Sequence, residues 1–123
     1  MKVNIEIEVE PESLMDAVFE NIWQHSSPWV ERYTYVGYQE GGVVPVKYHN
    51  PNYDDRLPRT PENRRIISKY VSLSDVARGY TSMLANRQTH CFGILVSWDV
   101  DEWDSCCADL CLQYTIFGKT IYG

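Results

Sequence analysis

The stretch of sequence that decides the fold is Trp103-Asp-Ser-Cys-Cys-Ala-Asp-Leu-Cys-Leu-Gln-Tyr-Thr-Ile-Phe-Gly-Lys-Thr-Ile-Tyr-Gly123. It predicts a helix that begins near Asp104 or Ser105 and ends at Gly118, because these residue types are common at helix ends. The residues between are apolar almost all the way round, which is typical of a buried helix. One carboxylate, Asp109, stands in the middle, and a buried carboxylate needs a partner or a cleft to face.

Asp109 shares a narrow polar stripe of this predicted helix with Ser105 and Gln113, at the spacing i, i+4, i+8. If the stripe faces solvent, it needs no further explanation. If it is covered, Asp109 has to accept hydrogen bonds from the backbone, from Gln113 or from an arginine. The stripe therefore predicts a structural anchor or an exposed face, and the alternative is that Asp109 and Gln113 contact a ligand.

The rest of the chain predicts an α+β fold from the period of its apolar residues. The predicted elements before the C-terminal helix are a strand over 3–9, a helix near 13–25, a hairpin of 33–38 with 43–48, a strand over 64–71, a helix over 73–84 and a short strand within 91–98. Pro45 predicts an edge strand or a bulge, since proline cannot donate to a ladder. The whole chain is expected to form a single domain over residues 1–123, with three helices packed on a small antiparallel or mixed sheet of about four strands.

Local signals add detail to this prediction. Two helix starts carry a capping-box pattern, Ser13 with Asp16 and Ser72 with Asp75. Gly79 is expected to weaken the second of these helices. The Pro- and Asn-rich segment 49–63 is expected to be a long loop that either serves a function or is disordered.

The net charge of −6 is unevenly spread, with acids concentrated in 1–31 and 99–109 and bases in 56–69, and such polarity can steer a charged partner. The candidate contacts in the basic segment are Arg56, Arg59, Arg64 and Arg65. Arginine suits phosphate or carboxylate, and pairing with the acidic N-terminal segment explains the same pattern. The candidate contacts in the acidic segment are Asp99, Asp101 and Glu102. These acids either bind a partner or Ca²⁺ or Mg²⁺, or favour the start of the helix that follows.

The metal candidate of the sequence consists of His90, Cys91, Cys107 and Cys111. Cys107 and Cys111 are four positions apart on a helix, and cysteine with histidine suits Zn²⁺. However, there is no C-x-x-C knuckle, and His90 and Cys91 would point apart in an extended strand. We therefore expect structural thiols, with no metal and no other cofactor. A Cys–His nucleophile is a further alternative, but no activating signature surrounds any cysteine.

Several classes of protein are not expected from this sequence. It contains no G-x-G-x-x-G, P-loop, G-x-S-x-G or H-E-x-x-H motif, so no catalytic residues are assigned. No apolar run approaches the ~20 residues that span a bilayer, and the N-terminal segment is not typical of a signal peptide. We expect a cytosolic protein that is not an enzyme and has no membrane partner.

The C-terminal residues resemble a family of small proteins encoded by phages and prophages. In that family an Ala-Asp-x-x-Leu-Gln helix leads into Phe-Gly and a closing Tyr-Gly, and the matching positions here run from Ala108 to Gly123. The resemblance implies a phage or prophage origin and assigns no reaction.

These features favour a non-enzymatic phage accessory protein in the cytosol of a bacterial host. It is expected to bind and inhibit a host protein or a protein–nucleic-acid complex, as an anti-CRISPR inhibitor of a defence system would. The alternative is a protein that binds a small molecule or a nucleotide. It would use the loop 49–63, Arg64, Arg65 and aromatic side chains around a pocket with Asp109. A further alternative is a small domain supported by Zn²⁺. The sequence sets no oligomeric state.

Overall fold

The computed structural model describes residues 7–23 and 25–122. In chain order its helices and strands are α1 (Pro11–Phe19), β1 (Val30–Tyr33), β2 (Val43–His49), β3 (Ile66–Ser72), α2 (Leu73–Ala85), β4 (Thr89–His90), β5 (Ile94–Leu95) and α3 (Ser105–Phe117). Strands β1, β2 and β3 form one antiparallel sheet in that order, and β4 pairs with β5 in a separate hairpin. The predicted α+β class with three helices is confirmed. Among residues 7–23 and 25–122, the main sheet has three strands, whereas about four were predicted.

Helix α3 lies at the centre of the core, as its composition predicts. Nine consecutive residues of this helix, 107–115, are buried, and both α1 and α2 pack against it. Asp104 caps its start by accepting a hydrogen bond from the Cys107 backbone N–H at 3.0 Å. Gly118 ends it in the left-handed conformation, with φ at 74°. In the described part of the chain, no helix is long and apolar enough to cross a membrane.

Helix α2 begins with the capping box that the sequence predicts. The Ser72 hydroxyl accepts a hydrogen bond from the Asp75 backbone N–H at 3.2 Å, and the Asp75 carboxylate accepts one from the Ser72 backbone N–H at 3.0 Å. The backbone hydrogen bond from Ser72 lowers the pKa of Asp75, and an ion pair with Arg78 at 2.8 Å lowers it further. These bonds fix the point at which the chain turns from β3 into α2.

Gly79 is a point of very close contact between α2 and α3. A Cβ atom added here would lie 2.4 Å from Oγ1, 2.7 Å from the backbone nitrogen and 2.8 Å from Cα of Thr115. Two of these atoms belong to the backbone of α3, so a side-chain rotation cannot relieve the overlap. Gly79 lowers the helix propensity of α2, as predicted, but it allows the two helices to pack backbone against backbone.

The sheet contributes one face of β2 to the core, through Val44, Val46 and Tyr48. Because β2 is the central strand, the prediction that Pro45 marks an edge strand or a bulge is wrong. The register irregularity of this sheet falls instead between Val30 and Arg32 of β1. The Pro45 carbonyl accepts a hydrogen bond from Thr34 at 3.2 Å, just beyond β1. Both polar groups of an antiparallel strand residue point to the same side, so proline costs β2 no hydrogen bond to β3.

The N-terminal elements differ from the prediction. Of the predicted strand over 3–9, residues 3–6 lie outside the described residues, and residues 7–10 are not in a strand. Helix α1 begins at Pro11 with Glu10 as its N-cap, without a side-chain cap. The capping box predicted from Ser13 and Asp16 is therefore wrong, because the N-cap is Glu10, three residues before Ser13. The Asp16 carboxylate accepts a hydrogen bond from the Tyr35 hydroxyl instead.

Helix α1 also ends at Phe19, well before residue 25. The Asn21 side chain donates a hydrogen bond to the Ala17 carbonyl at 2.8 Å, and so satisfies a carbonyl that another helical turn would otherwise satisfy. Trp23, which belongs to the predicted helix 13–25, lies beyond the end of α1 and is 59% exposed.

Two further strands are displaced from their predicted positions. The first strand of the hairpin begins at Val30, and residues 34–42 connect it to β2. Gly37, with φ at 104°, lies in this connection and interrupts the run predicted over 33–38. Of the strand predicted within 91–98, only Ile94–Leu95 is extended, because Cys91–Gly93 forms a tight 3₁₀ turn.

We expect Gly79→Ala to lower the free energy of unfolding by roughly 1–3 kcal/mol, the usual cost of overpacking, although alanine has the better helix propensity. Denaturant unfolding followed by circular dichroism measures this change. Thr81→Ala is the matched control, because Thr81 is exposed on the same helix. It should change stability by about 0.5 kcal/mol or less. Equal stability of the two variants would contradict the close packing of α2 on α3.

Candidate functional site

The carboxylate of Asp109, in the middle of α3, accepts three side-chain hydrogen bonds in the core. Its Oδ1 accepts from the Ser27 hydroxyl and from the Trp29 indole N–H, each at 2.7 Å. Its Oδ2 accepts from the Gln113 side-chain amide, also at 2.7 Å. We call these four residues the Asp109 network. Three short hydrogen bonds from protein donors compensate for the burial of the carboxylate.

Gln113 is completely buried and connects Asp109 to the segment that follows α3. Its Oε1 accepts hydrogen bonds from the backbone N–H groups of Ile121 and Tyr122, at 2.9 and 3.0 Å. Its Nε2 donates to Asp109 and, at 3.3 Å, to the Tyr122 carbonyl. Because both ends of the amide have partners, Gln113 is fixed in one orientation. The segment before β1, helix α3 and the C-terminal segment therefore meet at one network.

Aromatic rings pack around the Asp109 network. Trp29 and Tyr122 stack with ring centroids 5.7 Å apart and planes at 8°. Phe117 packs against both, with centroid distances of 5.3 Å to Trp29 and 6.2 Å to Tyr122. Burial raises the pKa of the Tyr122 hydroxyl. Trp29, which donates to Asp109, is thus packed between two further aromatic rings.

An open pocket of about 380 Å³ borders the network. Its lining residues are Ser26, Pro28, Trp29, His49, Asp109 and Tyr122. At the rim, His49 contacts Glu31 at 3.1 Å. Asp109 is only 8% exposed, and protein donors bind both of its oxygens. Asp109 and Gln113 thus anchor the C-terminal segment and the segment before β1 to α3. Asp109 also lines the pocket.

The predicted basic contacts do not line this pocket. They are Arg56, Arg59, Arg64 and Arg65, and all four are exposed. Arg56 pairs with Asp54 at 2.9 Å, and its side-chain hydrogen bonds lower the pKa of that carboxyl. The partner that the structure gives Arg56 is thus a carboxylate two residues away in the chain.

Segment 49–63 is a folded loop built around the side chain of Asn63, which is 7% exposed. Its Oδ1 accepts a hydrogen bond from the Asp54 backbone N–H at 2.9 Å. Its Nδ2 donates to the carbonyls of Asp54, Leu57 and Pro58, at 2.8, 3.3 and 3.1 Å. One side chain thus supplies the hydrogen bonds that a regular element would supply. The side chain of Asn63 thus gives the loop a defined hydrogen-bonded conformation.

The predicted acidic contacts are partly engaged in local structure. Asp99 caps a short 3₁₀ turn, Val100–Glu102, by accepting a hydrogen bond from the Asp101 backbone N–H at 3.1 Å. Glu102 accepts one from the Ser97 hydroxyl at 2.9 Å. Among the described residues, these acids do not converge in the manner of a metal-binding cluster. Asp101 and Glu102 remain exposed to solvent.

Large apolar side chains are exposed on the hairpin of β4 and β5 and just after it. They are Phe92 at 102%, Ile94 at 57%, Leu95 at 47% and Trp98 at 60% exposure, and we call these four residues the 92–98 surface. The Tyr80 hydroxyl fixes its base by donating to the Trp98 carbonyl at 2.6 Å. Sequence reasoning missed this surface. Its signal is the dipeptide Phe92-Gly93, whose φ values of 62° and 74° turn the chain outward.

Three of the four cysteines meet at His90. Its imidazole belongs to two groups of possible metal ligands. The first group also contains Cys91 and Cys106, and the second contains Asp104 and Cys107. Within each group, the ligand atoms lie within 4.8 Å of one another. The predicted candidate Cys111 belongs to neither group and lies one turn beyond Cys107 on α3. His90 and Cys91 do not point apart as predicted, since Cys91 begins a tight turn.

Burial raises the pKa of the three thiols on α3. The pKa of Cys106 lies above its ordinary value, and those of Cys107 and Cys111 rise to about 12. These thiols stay protonated at neutral pH, and the protonated form is a poor nucleophile. The raised pKa values therefore disfavour a Cys–His nucleophile that uses any of them.

No protein-family model, curated protein or solved structure matches this chain. The residues that carry the C-terminal resemblance have structural roles here. Asp109 and Gln113 form the network, Gly118 ends α3, and Tyr122 stacks on Trp29. The pattern describes how a C-terminal segment is fixed on a helix, and it assigns no chemistry.

We expect Asp109→Asn to lower the free energy of unfolding by about 2–3 kcal/mol. The amide nitrogen that replaces one carboxylate oxygen cannot accept a hydrogen bond, so a donor that was bound to that oxygen loses its partner. Gln113 cannot turn to compensate, since its Oε1 already accepts from Ile121 and Tyr122. Denaturant unfolding measures the loss. Asp101→Asn is the matched control at an exposed aspartate, and it should stay within about 0.5 kcal/mol of the wild type. An equal loss in both variants would show that Asp109 is not the anchor.

Proposed function

We propose that this protein is a non-enzymatic phage or prophage accessory protein that binds and inhibits a bacterial host target in the host cytosol. The observation that carries the binding role is the 92–98 surface, with four large apolar side chains exposed within seven positions. Single exposed apolar residues are common, whereas clusters with aromatic members are typical of interaction sites. The target is a host protein or a host protein–nucleic-acid complex.

The 92–98 surface is held in place before any partner arrives. Besides the bond from Tyr80 to Trp98, the Trp103 indole N–H donates to the Ser97 carbonyl at 2.7 Å. Val96, between the exposed residues, is buried and fixes the segment to the core. A preformed surface loses little conformational entropy on binding, which favours affinity.

The charge near this surface indicates the kind of partner. Exposed Asp101 and Glu102 follow Trp98 closely in the chain, and the salt bridges found among the described residues involve neither of them. Apolar groups beside carboxylates are complementary to a basic protein surface with an apolar centre. Sites that bind nucleic acid are basic, so an acidic protein can occupy them. This complementarity supports a defence-system inhibitor such as an anti-CRISPR.

The proposal has two further parts besides binding, the phage or prophage origin and the inhibition of the target. The origin is supported by the C-terminal resemblance to phage proteins, which names no target. The non-enzymatic character is supported by Asp109, whose oxygens are engaged by protein donors, and by the protonated thiols of α3.

Affinity capture from a bacterial lysate tests the binding. We expect the wild-type protein to retain a stoichiometric host partner, and the double variant Phe92→Ser with Trp98→Ser to lose it. Val36→Ser is the matched control, because Val36 is 82% exposed in the connection between β1 and β2 and should not contribute. Thermal unfolding confirms that each variant is folded. Equal capture by both variants, or the lack of a stoichiometric partner, would contradict the proposal.

Inhibition is then measured in infected cells. Expression of the wild-type protein in a host with an active defence system should raise the plating efficiency of a sensitive phage. The double variant should not raise it, and Val36→Ser should behave as the wild type. If capture succeeds but plating is unchanged in every host, the protein binds its target without inhibiting a defence system.

The pocket beside Asp109 supports a second candidate function, the sequestration of a small molecule or a nucleotide. Its volume of about 380 Å³ lies within the usual range of ligand sites. Trp29 and Tyr122 line it, and such rings can stack on a nucleotide base. The predicted phosphate contacts Arg64 and Arg65 do not line it, so this candidate depends on the aromatic wall.

A thermal-shift screen over nucleotides and cyclic nucleotides tests the second candidate. A ligand of this pocket should raise the melting temperature in a concentration-dependent way, because it binds only the folded protein. Tyr122→Ala should abolish the shift, while Phe92→Ser should leave it unchanged. A screen without any shift, or a shift that survives Tyr122→Ala, would exclude this pocket as a nucleotide site.

A further inference from the structure

The imidazole of His90 has a ring nitrogen that the protein does not satisfy. Its Nδ1 is buried and has no hydrogen-bond partner within the described ranges 7–23 and 25–122. A buried nitrogen of this kind loses its hydration without compensation, so such atoms are rare in folded proteins. His90 ends β4, at the point where the β4–β5 hairpin contacts α3.

Three cysteine thiols, those of Cys91, Cys106 and Cys107, lie near this imidazole. A ring nitrogen of His90 and the sulfurs of Cys91 and Cys106 lie within 4.8 Å of one another. Cys91 is exposed at the turn of the hairpin, and Cys106 is half-buried in the first turn of α3. Asp104 and Cys107 form a second group with the same imidazole. Two structural elements therefore bring nitrogen, sulfur and oxygen donors to one place.

We propose that His90, Cys91 and Cys106 bind Zn²⁺. Imidazole nitrogen and thiolate sulfur are the donors that Zn²⁺ prefers, and three protein ligands leave one position for a fourth ligand. Binding converts the two thiols to thiolates, and their two protons pass to solvent. Compared with the set indicated by sequence spacing, Cys106 replaces Cys107 and Cys111.

The surroundings favour such an ion. The neighbouring acids Asp101, Glu102 and Asp104 are exposed and give the region a negative potential that attracts a cation.

The ion also has a mechanical consequence for the hairpin. Strands β4 and β5 have two residues each, which is far fewer than an independently stable hairpin needs. A metal held by Cys91 of the hairpin turn, His90 of β4 and Cys106 of α3 fastens the hairpin to the core. It would thereby fix the base of the 92–98 surface, as structural metals do in other small folds.

Metal content and cobalt spectroscopy test the site on the full chain. Protein purified under reducing conditions without added metal should contain about one equivalent of zinc by elemental analysis. After removal of the metal, titration with Co²⁺ should produce the charge-transfer absorption of a cobalt–thiolate bond, and Zn²⁺ should displace it. Zn²⁺ should also raise the melting temperature of the metal-free protein.

Variants identify the ligands. In competition with a chromophoric chelator, Cys91→Ser, Cys106→Ser and His90→Gln should each weaken Zn²⁺ binding by roughly 100-fold or more, since even the groups that support ligands contribute up to that factor. Cys111→Ala is the matched control, because Cys111 lies on the same helix outside both groups and should leave affinity unchanged. If Cys107→Ser abolishes binding while Cys91→Ser does not, the assignment is wrong.

Two other results would overturn the proposal. One is a zinc content below about a tenth of an equivalent, together with no cobalt–thiolate absorption, because sites of this class bind tightly. The other is a disulfide between Cys91 and Cys106 in protein that shows no affinity for Zn²⁺ when reduced. The proposed partner binding is tested separately, through the side chains of Phe92 and Trp98.

Discussion

One buried charge organises this protein. The carboxylate of Asp109 lies in a helix whose other central residues are mostly apolar, and three side-chain donors at 2.7 Å compensate for its burial. Two of these donors come from the segment before β1, and the third, Gln113, binds the C-terminal segment. Because the buried carboxylate of Asp109 requires hydrogen-bond donors, three distant parts of the chain meet at it. The aromatic cluster and the pocket both lie beside this network.

Helix α3 and the start of α2 were predictable because their ends are fixed by residues that are close in sequence. Asp104, Gly118 and the pair Ser72 and Asp75 act within a few residues of themselves, so the sequence alone indicates their roles. The end of α1 was not predictable from apolar spacing, because the Asn21 side chain competes for a helix carbonyl. Likewise, Gly79 matters because it allows close contact with Thr115 of α3, and no local pattern in the sequence reveals this contact.

The candidate sites show the same division. The polar stripe of α3 correctly indicated that Asp109 and Gln113 belong together, but not that Ser27 and Trp29 complete the set. Helical spacing favoured Cys107 with Cys111, whereas the tight turn at Phe92 brings Cys91 and His90 to Cys106. Turns and remote contacts decide both sites, and a single sequence indicates these less well than it indicates helices.

The long separation in sequence between α3 and its partners constrains how the protein folds during synthesis. Ser27 and Trp29 lie 82 and 80 residues before Asp109, so their contacts close a very long loop. Helices α1 and α2 also lack their packing surface until residues 105–117 have left the ribosome. Until α3 emerges, a nascent chain therefore exposes apolar faces of β2 and α2, and chaperones that recognise such faces can bind it.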